Sequence, residues 1–359
     1  MIFGRAALHE FGALALAVFS ALFAITITTQ TVRLLGQAAG GIVVSGSVLP
    51  LLGFSALNYL PVILSLTLFI SVLMAISRSF RDSEMVAWYS AGVPLSAWVR
   101  PVSMFAAPVV VLIAVLSLLL SPWAAERSDY YRRQLDRRDD LARISPGMFK
   151  EGGDAGRVFF VEEVGGDSSE VRNVFVASMQ DGQLGVLVSR QGFKDVSDDG
   201  QRRVVLLSGK RYQGVPGSMD FRIMDFDRYL LRLSSREASA PESQAKTLST
   251  MALLGDPTNV NLGEVVWRLG LPVSSLILAL MAIPLSFVNP RASRSANLLF
   301  SLLVYMVYSN LLSISQAWVT QGRLGFQWGM VLIHVSMLTL FLAMLLVRMR
   351  ILPLLRRGR

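Results

Sequence analysis

The most informative pattern in the chain is a set of long runs without Lys, Arg, Asp or Glu. Each run exceeds the ~20 residues that a helix needs to cross a bilayer. The runs cover residues 11–32, 34–77, 101–125, 269–290, 295–322 and 324–347. In the second run, the small residues of Gly36–Gly46 predict a loop, which leaves a span at Leu51–Ser77. The pattern therefore predicts six transmembrane helices, three on each side of a polar middle segment.

The middle segment, 123–265, follows a different pattern. It opens with a charged, helix-prone stretch, Trp123–Arg143, which extends the third span. Short runs rich in Val, Phe and Leu then alternate with turn residues, at a spacing typical of an antiparallel sandwich or jelly roll. The predicted strands are Arg157–Val164, Val171–Met179, Leu184–Arg190, Arg202–Ser208 and Met219–Phe226. We therefore predict a membrane α-helical fold with an antiparallel β jelly-roll domain between helices 3 and 4, divided as 1–122, 123–265 and 266–359.

Composition narrows the function classes. The chain is 53% hydrophobic and 16% charged, with a net charge of +9, whereas soluble domains carry about 25% charged residues. The middle segment holds 20 Lys/Arg and 22 Asp/Glu, so the positive excess belongs to the membrane part and does not indicate a nucleic-acid partner. There is no cysteine and no Gly-rich phosphate loop of Walker type. We predict no catalytic site, metal or cofactor, and ATP-driven transport would need a separate ATPase subunit.

Histidine is too scarce to support catalysis or proton transfer. The middle segment has none, so a Ser-His-Asp arrangement cannot form within it. His334 is the only ionisable residue well inside a predicted span. Because a proton relay needs several partners, we expect His334 to be packed or hydrogen-bonded.

Arginine is distributed unequally between the two sides of the predicted bundle. One set of short loops and ends holds Arg5, Arg78, Arg81, Arg100, Arg291, Arg294, Arg348, Arg350, Arg356, Arg357 and Arg359. The opposite short loops hold only Arg33 and Arg323. Positive charge in short loops marks the cytoplasmic side. Both termini are therefore predicted to be cytoplasmic and the β domain to lie outside.

The loop between the second and third spans, 78–94, predicts a short amphipathic helix at about 81–92. Asp82-Ser83 would cap it, with Glu84 in its first turn. Met85 and Trp88 follow at helical spacing, and Gly92 and Pro94 would end the helix. Such a helix is either a simple interfacial connector or a coupling helix that docks into a partner. The candidate coupling residues are Arg81, Asp82, Ser83, Glu84, Met85 and Trp88.

The order of these features resembles the lipopolysaccharide export permease family of ATP-binding cassette exporters. The resemblance covers the whole chain. It includes Ser83-Glu84-Met85 with Ala91-Gly92, Arg211-Tyr212-Gln213-Gly214, Asp220-Phe221-Arg222-Ile223 and the segment Pro284–Arg291. That last segment, with Gln30-x-x-Arg33, looks like the F member of the family's two sister permeases rather than the G member.

The resemblance implies a permease subunit of the inner membrane with several partners. These would be a sister permease, a cytoplasmic ATPase dimer and a periplasmic bridge protein. Lipopolysaccharide would enter between the first and fifth helices of the two permeases, from the outer leaflet of the inner membrane. The ATPase would then push it upward to the β domains and the bridge protein.

Two groups of residues are candidates for contact with the lipid. Arg33, with Gln30, lies at the outer end of the first span, where its guanidinium suits phosphate oxygens. The other reading is that Arg33 is a snorkelling anchor. Phe159, Val161 and Phe175 lie in predicted strands and would offer an apolar groove to acyl chains. Their other reading is an ordinary core.

Three other functions fit parts of the pattern. A mechanotransmitting subunit would pass ATPase motion outward without carrying lipid, but such permeases usually have four spans. A membrane-anchored sensor would need a cytoplasmic output domain, and the longest predicted cytoplasmic piece has about twenty residues. A membrane enzyme would need clustered His, Asp or Glu near the bilayer.

Overall fold

The computed structural model of the chain contains two compact units. It describes residues 2–39, 45–142, 147–151, 157–164, 170–180, 183–196, 202–215, 217, 221–232, 241–287 and 294–357. One unit is helical and combines Met1–Arg132 with Pro241–Arg359. The other, Arg133–Ala240, contains the strands. This unit is shorter than the predicted insert, 123–265, because helices precede and follow the sheet along the chain.

The helical unit confirms the six predicted spans. Six described helices are long and apolar enough to cross a membrane. The described α-helices number ten: α1 Ile2–Ala39, α2 Val48–Arg81, α3 Glu84–Ser90, α4 Val99–Val115, α5 Ser121–Ala142, α6 Pro241–Thr247, α7 Thr250–Gly255, α8 Asn259–Leu285, α9 Arg294–Thr320 and α10 Phe326–Arg357. The six spans are α1, α2, the stretch Leu95–Arg132 that contains α4 and the start of α5, α8, α9 and α10. A π-helical turn, Leu116–Leu120, joins α4 to α5. The third span therefore continues into the charged helix, as the sequence predicts.

The fourth span differs from its prediction at one end. The charge-free run predicts a start at residue 269, but α8 begins at Asn259 and includes Glu264 and Arg268. Both of these side chains are buried. Each is the other's partner in an ion pair, which lowers the cost of placing charge inside a helix bundle.

Helices α2 and α8 form the centre of the bundle. Of their apolar windows, 61% and 67% are buried within the unit, compared with 6% for α1. Large apolar side chains such as Leu73 of α2 and Met281 of α8 are almost fully enclosed. The apolar surface of α1 is thus left for lipid or another chain.

The β unit is an antiparallel sheet, as predicted. Its strands are β1 Met148–Glu151, β2 Arg157–Val164, β3 Glu170–Gln180, β4 Gln183–Val196, β5 Arg202–Gly214 and β6 Phe221–Arg232. Five of them match predicted strands, and β1 was not predicted. The described strands pair in chain order, β1 to β6. That order is a meander, whereas a jelly roll has Greek-key connections. The predicted antiparallel domain between helices 3 and 4 is therefore confirmed, but the described strands do not have Greek-key order.

A crease crosses the sheet where the regular pairing is interrupted. Asn173 in β3 and Ser208 in β5 have left-handed backbones, with φ of 48° and 50°. Beyond the crease the alternation of side chains shifts by one residue. Phe226 and Tyr229 are three residues apart in β6, yet their rings lie 5.3 Å apart, whereas an uninterrupted strand would place them on opposite faces.

Candidate functional site

The short amphipathic helix predicted at about 81–92 is present as α3, which covers Glu84–Ser90. Met85 is only 1% exposed and belongs to the main core of the bundle, and Trp88 and Tyr89 pack against that core. Val86, by contrast, points away from the bundle and is exposed. One face of α3 therefore fixes the helix to the bundle, and the other remains open.

The predicted N-terminal cap of α3 is wrong in detail. Ser83 does precede the helix, but its side chain makes no capping hydrogen bond. Its backbone is left-handed, with φ of 61°, whereas a capping residue is usually extended. The side chain of Glu84 is held instead from the end of α2, where the Ser79 hydroxyl donates to Glu84 Oε2 at 2.8 Å.

Arg78 connects three helices at this end of the bundle. Its guanidinium makes two hydrogen bonds to Glu10 of α1, at 2.6 and 2.9 Å. It also lies 3.6 Å from Glu84 Oε1. From the sequence, Arg78 is only one of the positive charges on its side of the bundle, because nothing in the sequence shows that Glu10, 68 residues away, is its partner.

Gly92 ends α3, as predicted. Its φ of 83° is left-handed, a conformation that glycine adopts without steric cost. The Gly92 N–H donates to the Tyr89 carbonyl and the Val93 N–H donates to the Trp88 carbonyl, which is the Schellman pattern. Burial on this helix raises the pKa of the Tyr89 hydroxyl to about 12, so Tyr89 stays neutral at physiological pH.

The remaining coupling candidates are more exposed. Arg81 and Asp82 follow one another at the end of α2, 3.5 Å apart between Nε and Oδ1. Both side chains are more than two-fifths exposed, so this ion pair contributes little to stability. Together with the half-exposed Glu84, they place charge around the open face of α3.

A second polar cluster, which the sequence does not predict, surrounds Arg268 in α8. Its Nε donates to Glu264 Oε1 at 2.9 Å. Its Nη1 donates to the Leu248 carbonyl and to Thr250 Oγ1, both at 3.0 Å. Its Nη2 donates to the carbonyls of Ala245 and Lys246, both at 3.2 Å. Because Arg268 is only 2% exposed, these hydrogen bonds lie inside the helical unit.

His334 is hydrogen-bonded inside the bundle. Its Nδ1 lies 2.7 Å from the hydroxyl of Tyr308 in α9. Both residues are buried. Among the described residues there is no group of three or more side chains arranged to hold a metal ion.

Arg33 and Gln30 lie one turn apart on α1. Arg33 is exposed and Gln30 is partly buried. Within the described part of the chain, no hydrogen bond or ion pair of the Arg33 side chain is found. The guanidinium is thus available to a ligand or to a lipid headgroup.

The sheet divides the predicted apolar residues between its two faces. Residues directly opposite one another on paired strands share a face. Phe175 pairs with Phe160 and Val188. Phe159 and Val161, however, pair with Val176 and Val174. The three predicted groove residues cannot line one surface.

The face that carries Phe175, here called the aromatic face, is open. It consists of Phe149, Phe160, Phe175 and Val188, around a concavity of about 370 Å³. The ring of Phe149 lies 4.6 Å from that of Phe160 and 6.2 Å from that of Phe175. Phe149 is 65% exposed. The opposite face instead encloses a cluster of Val174, Val176, Leu187 and Leu206, against which Val161 packs.

Comparison with known proteins agrees with the predicted resemblance. Residues 5–348 match the family described as lipopolysaccharide export system permease LptF/LptG. The chain is 27% identical over 296 residues to the lipopolysaccharide export system permease protein LptF of Escherichia coli K12, which covers 82% of this chain and 80% of that protein. The LptF proteins of Escherichia coli O157:H7 and Shigella flexneri match to the same extent.

The family match extends across the six spans and the sheet, and the LptF matches cover 82% of the chain. They confirm the resemblance predicted from the sequence, including its likeness to the F member. The chain therefore belongs to the lipopolysaccharide export system permease LptF/LptG family.

Proposed function

We propose that this permease subunit withdraws lipopolysaccharide from the outer leaflet of the inner membrane and passes it to a periplasmic bridge protein. Its family makes it a multi-pass inner-membrane permease subunit for lipopolysaccharide transport rather than an enzyme. The family match over residues 5–348 is the observation that carries the proposal. The proposed partners are a G-type sister permease, a cytoplasmic ATPase dimer and the bridge protein.

The proposed orientation places both termini and α3 in the cytoplasm. Arginine is in excess in the short loops and ends on that side of the bundle, and such an excess marks the cytoplasmic side. Residues 123–265 would then contribute the periplasmic part of the protein. Site-directed labelling with a membrane-impermeant reagent tests this orientation.

We propose that α3 receives movement from the ATPase dimer. Met85 and Trp88 fix the helix to the bundle, while Arg81, Asp82, Ser83 and Glu84 surround its open end. A rigidly held helix transmits displacement, whereas a flexible one absorbs it. Arg78 supports this role, because it links Glu84 to Glu10 of α1, the helix placed at the lipid gate by the family resemblance.

We expect Arg33→Glu to lower the amount of lipopolysaccharide bound to the purified complex. The lipid carries phosphates, which an exposed guanidinium attracts and a carboxylate repels. Arg33→Lys should have a smaller effect, because it keeps the charge and loses only the planar donors. Lipid co-purified with each variant is measured at low salt, where screening is weakest. Unchanged loading with Arg33→Glu would identify Arg33 as a membrane anchor.

We also expect the aromatic face to contact acyl chains. A photoreactive amino acid at Phe175 should form adducts with lipopolysaccharide during ATP turnover, because Phe175 lines an open concavity together with Phe149, Phe160 and Val188. Val176 is the matched control, since it is adjacent and belongs to the enclosed cluster of the opposite face. Adducts at Val176 and none at Phe175 would assign the lipid to the other face. Probes at Phe159 and Val161 extend the test to that face.

A further inference from the structure

The segment that enters α8 from the β unit is packed firmly on the bundle. Ala245 of α6 and Leu253 of α7 form a cluster with Val265 of α8. Phe326, the first residue of α10, packs against the same cluster. Helices α6 and α7 therefore lie beside the start of α8 and the start of α10.

Arg268 locks this segment in place. Three of its acceptors are the carbonyls of Ala245, Lys246 and Leu248, at and just beyond the end of α6. The last carbonyls of a helix have no hydrogen-bond donor within the helix and carry partial negative charge. A guanidinium supplies both the donors and a compensating positive charge. The Thr250 hydroxyl accepts from Arg268 and donates to the Leu118 carbonyl of the π turn. The orientation of α7 is thus fixed by bonds to α8 and to the π turn.

With α7 held in this way, an exposed apolar ridge remains, which begins two residues before α7 and continues along it. Leu248, Met251 and Leu254 recur at intervals of three residues and are 40%, 82% and 52% exposed. Ser249 caps α7 by accepting a hydrogen bond from the Ala252 N–H at 3.2 Å. The ridge is therefore built into a defined turn of helix.

The ridge lies at the level where the membrane spans end. Leu253, on the inner side of α7, contacts the cluster that includes Phe326. Two residues further along α10 is Trp328, which is exposed, and Trp318 is exposed near the end of α9. Tryptophan is enriched where spans meet the water interface, so this end of the bundle has the composition of an interfacial belt.

We propose that the ridge of Leu248, Met251 and Leu254 lies in the boundary between headgroups and acyl chains, as an interfacial membrane anchor. Exposed Lys246 and Asp256 flank it, as polar residues flank the apolar side of interfacial helices. Three side chains offer far less surface than the roughly 800 Å² per partner of a stable protein interface. The anchor keeps the α6–α7 segment, which precedes α8, at a fixed depth in the membrane. This role does not depend on whether α3 binds an ATPase.

Single-cysteine labelling tests this anchor directly, since the chain has no cysteine of its own. The full-length protein carrying Met251→Cys is labelled with a fluorophore and reconstituted into phosphatidylcholine vesicles, alone and in its complex. We expect lipids that carry a quencher to suppress the emission strongly, and iodide to have little effect. Quencher depth should place the label about 5–10 Å inside the boundary. Leu248→Cys should behave alike, and Lys246→Cys, on the same segment, should be quenched by iodide.

Two results would overturn the proposal. Quenching of the Met251 label by iodide, to the extent seen at Lys246, would place the ridge in water. Protection from both quenchers only in the complex would make the ridge a protein interface. Lipid quenching in the protein alone and in the complex supports the anchor.

Discussion

Arg268→Leu is expected to lower the stability of the helical unit by about 3–5 kcal/mol, the usual cost of breaking a buried ion pair. The substitution leaves the Glu264 carboxylate buried without its cation. It also removes the donor to three carbonyls and one hydroxyl of the α6–α7 segment. Denaturant unfolding of the detergent-solubilised protein measures the loss.

A double variant and a surface variant give this experiment its controls. Glu264→Leu with Arg268→Leu should be less destabilised than Arg268→Leu alone, because no unpaired charge remains. Arg323→Leu, exposed between α9 and α10, should change stability by less than about 0.5 kcal/mol. Equal stability of Arg268→Leu and Arg323→Leu would show that the Arg268 contacts do not form.

Glu84→Ala is expected to weaken binding of the ATPase dimer by about 30- to 5,000-fold. Truncating one member of a charge pair that is buried at an interface costs about 2–5 kcal/mol. Where the complex still assembles, the variant should hydrolyse ATP with less lipopolysaccharide moved per ATP. Affinity of the purified ATPase for the permease complex and the transport ratio are the two measurements.

The internal bonds of Glu84 require their own controls. Ser79→Ala removes the hydrogen bond to Glu84 and should cost about 1 kcal/mol of stability, with the ATPase affinity nearly unchanged. Asp82→Ala removes an exposed charge that is paired with Arg81, so it should lower the stability of the protein by less than about 1 kcal/mol. If Ser79→Ala lowers the affinity for the ATPase as much as Glu84→Ala does, Glu84 acts by positioning α3 and not by contacting the ATPase.

Patterns with a local physical cause could be predicted from the sequence. A bilayer span requires a long charge-free run, so all six membrane helices were predicted. Turn residues between Val-rich and Phe-rich runs located five of the strands. Gly92 marked the end of α3, because a left-handed residue ends many helices. Each of these features depends on neighbouring residues.

Features that depend on distant partners could not be predicted. The rule that spans lack charge placed Glu264 and Arg268 outside α8, although each neutralises the other. The groove predicted from Val161 and Phe175 depends on strand register, and only the register shows that Phe175 pairs with Phe160, the neighbour of Val161 on the opposite face. Likewise, the bond between Ser79 and Glu84 replaced the expected Ser83 cap. Register and long-range pairing are set by the folded chain as a whole.

Transfer of lipopolysaccharide from proteoliposomes to the periplasmic bridge protein is the most direct test of the proposed function. The vesicles contain this chain with the proposed sister permease and ATPase, and lipid bound to the bridge protein is counted per ATP hydrolysed. We predict ATP-dependent transfer, with lipid adducts on a photoreactive amino acid that replaces Phe175. We also predict that Glu84→Ala transfers less lipid per ATP hydrolysed. ATP-dependent transfer without any lipid adduct on this chain, from a photoreactive amino acid at Phe159, Val161, Phe175 or Val176, would contradict the account and indicate a subunit that transmits motion only.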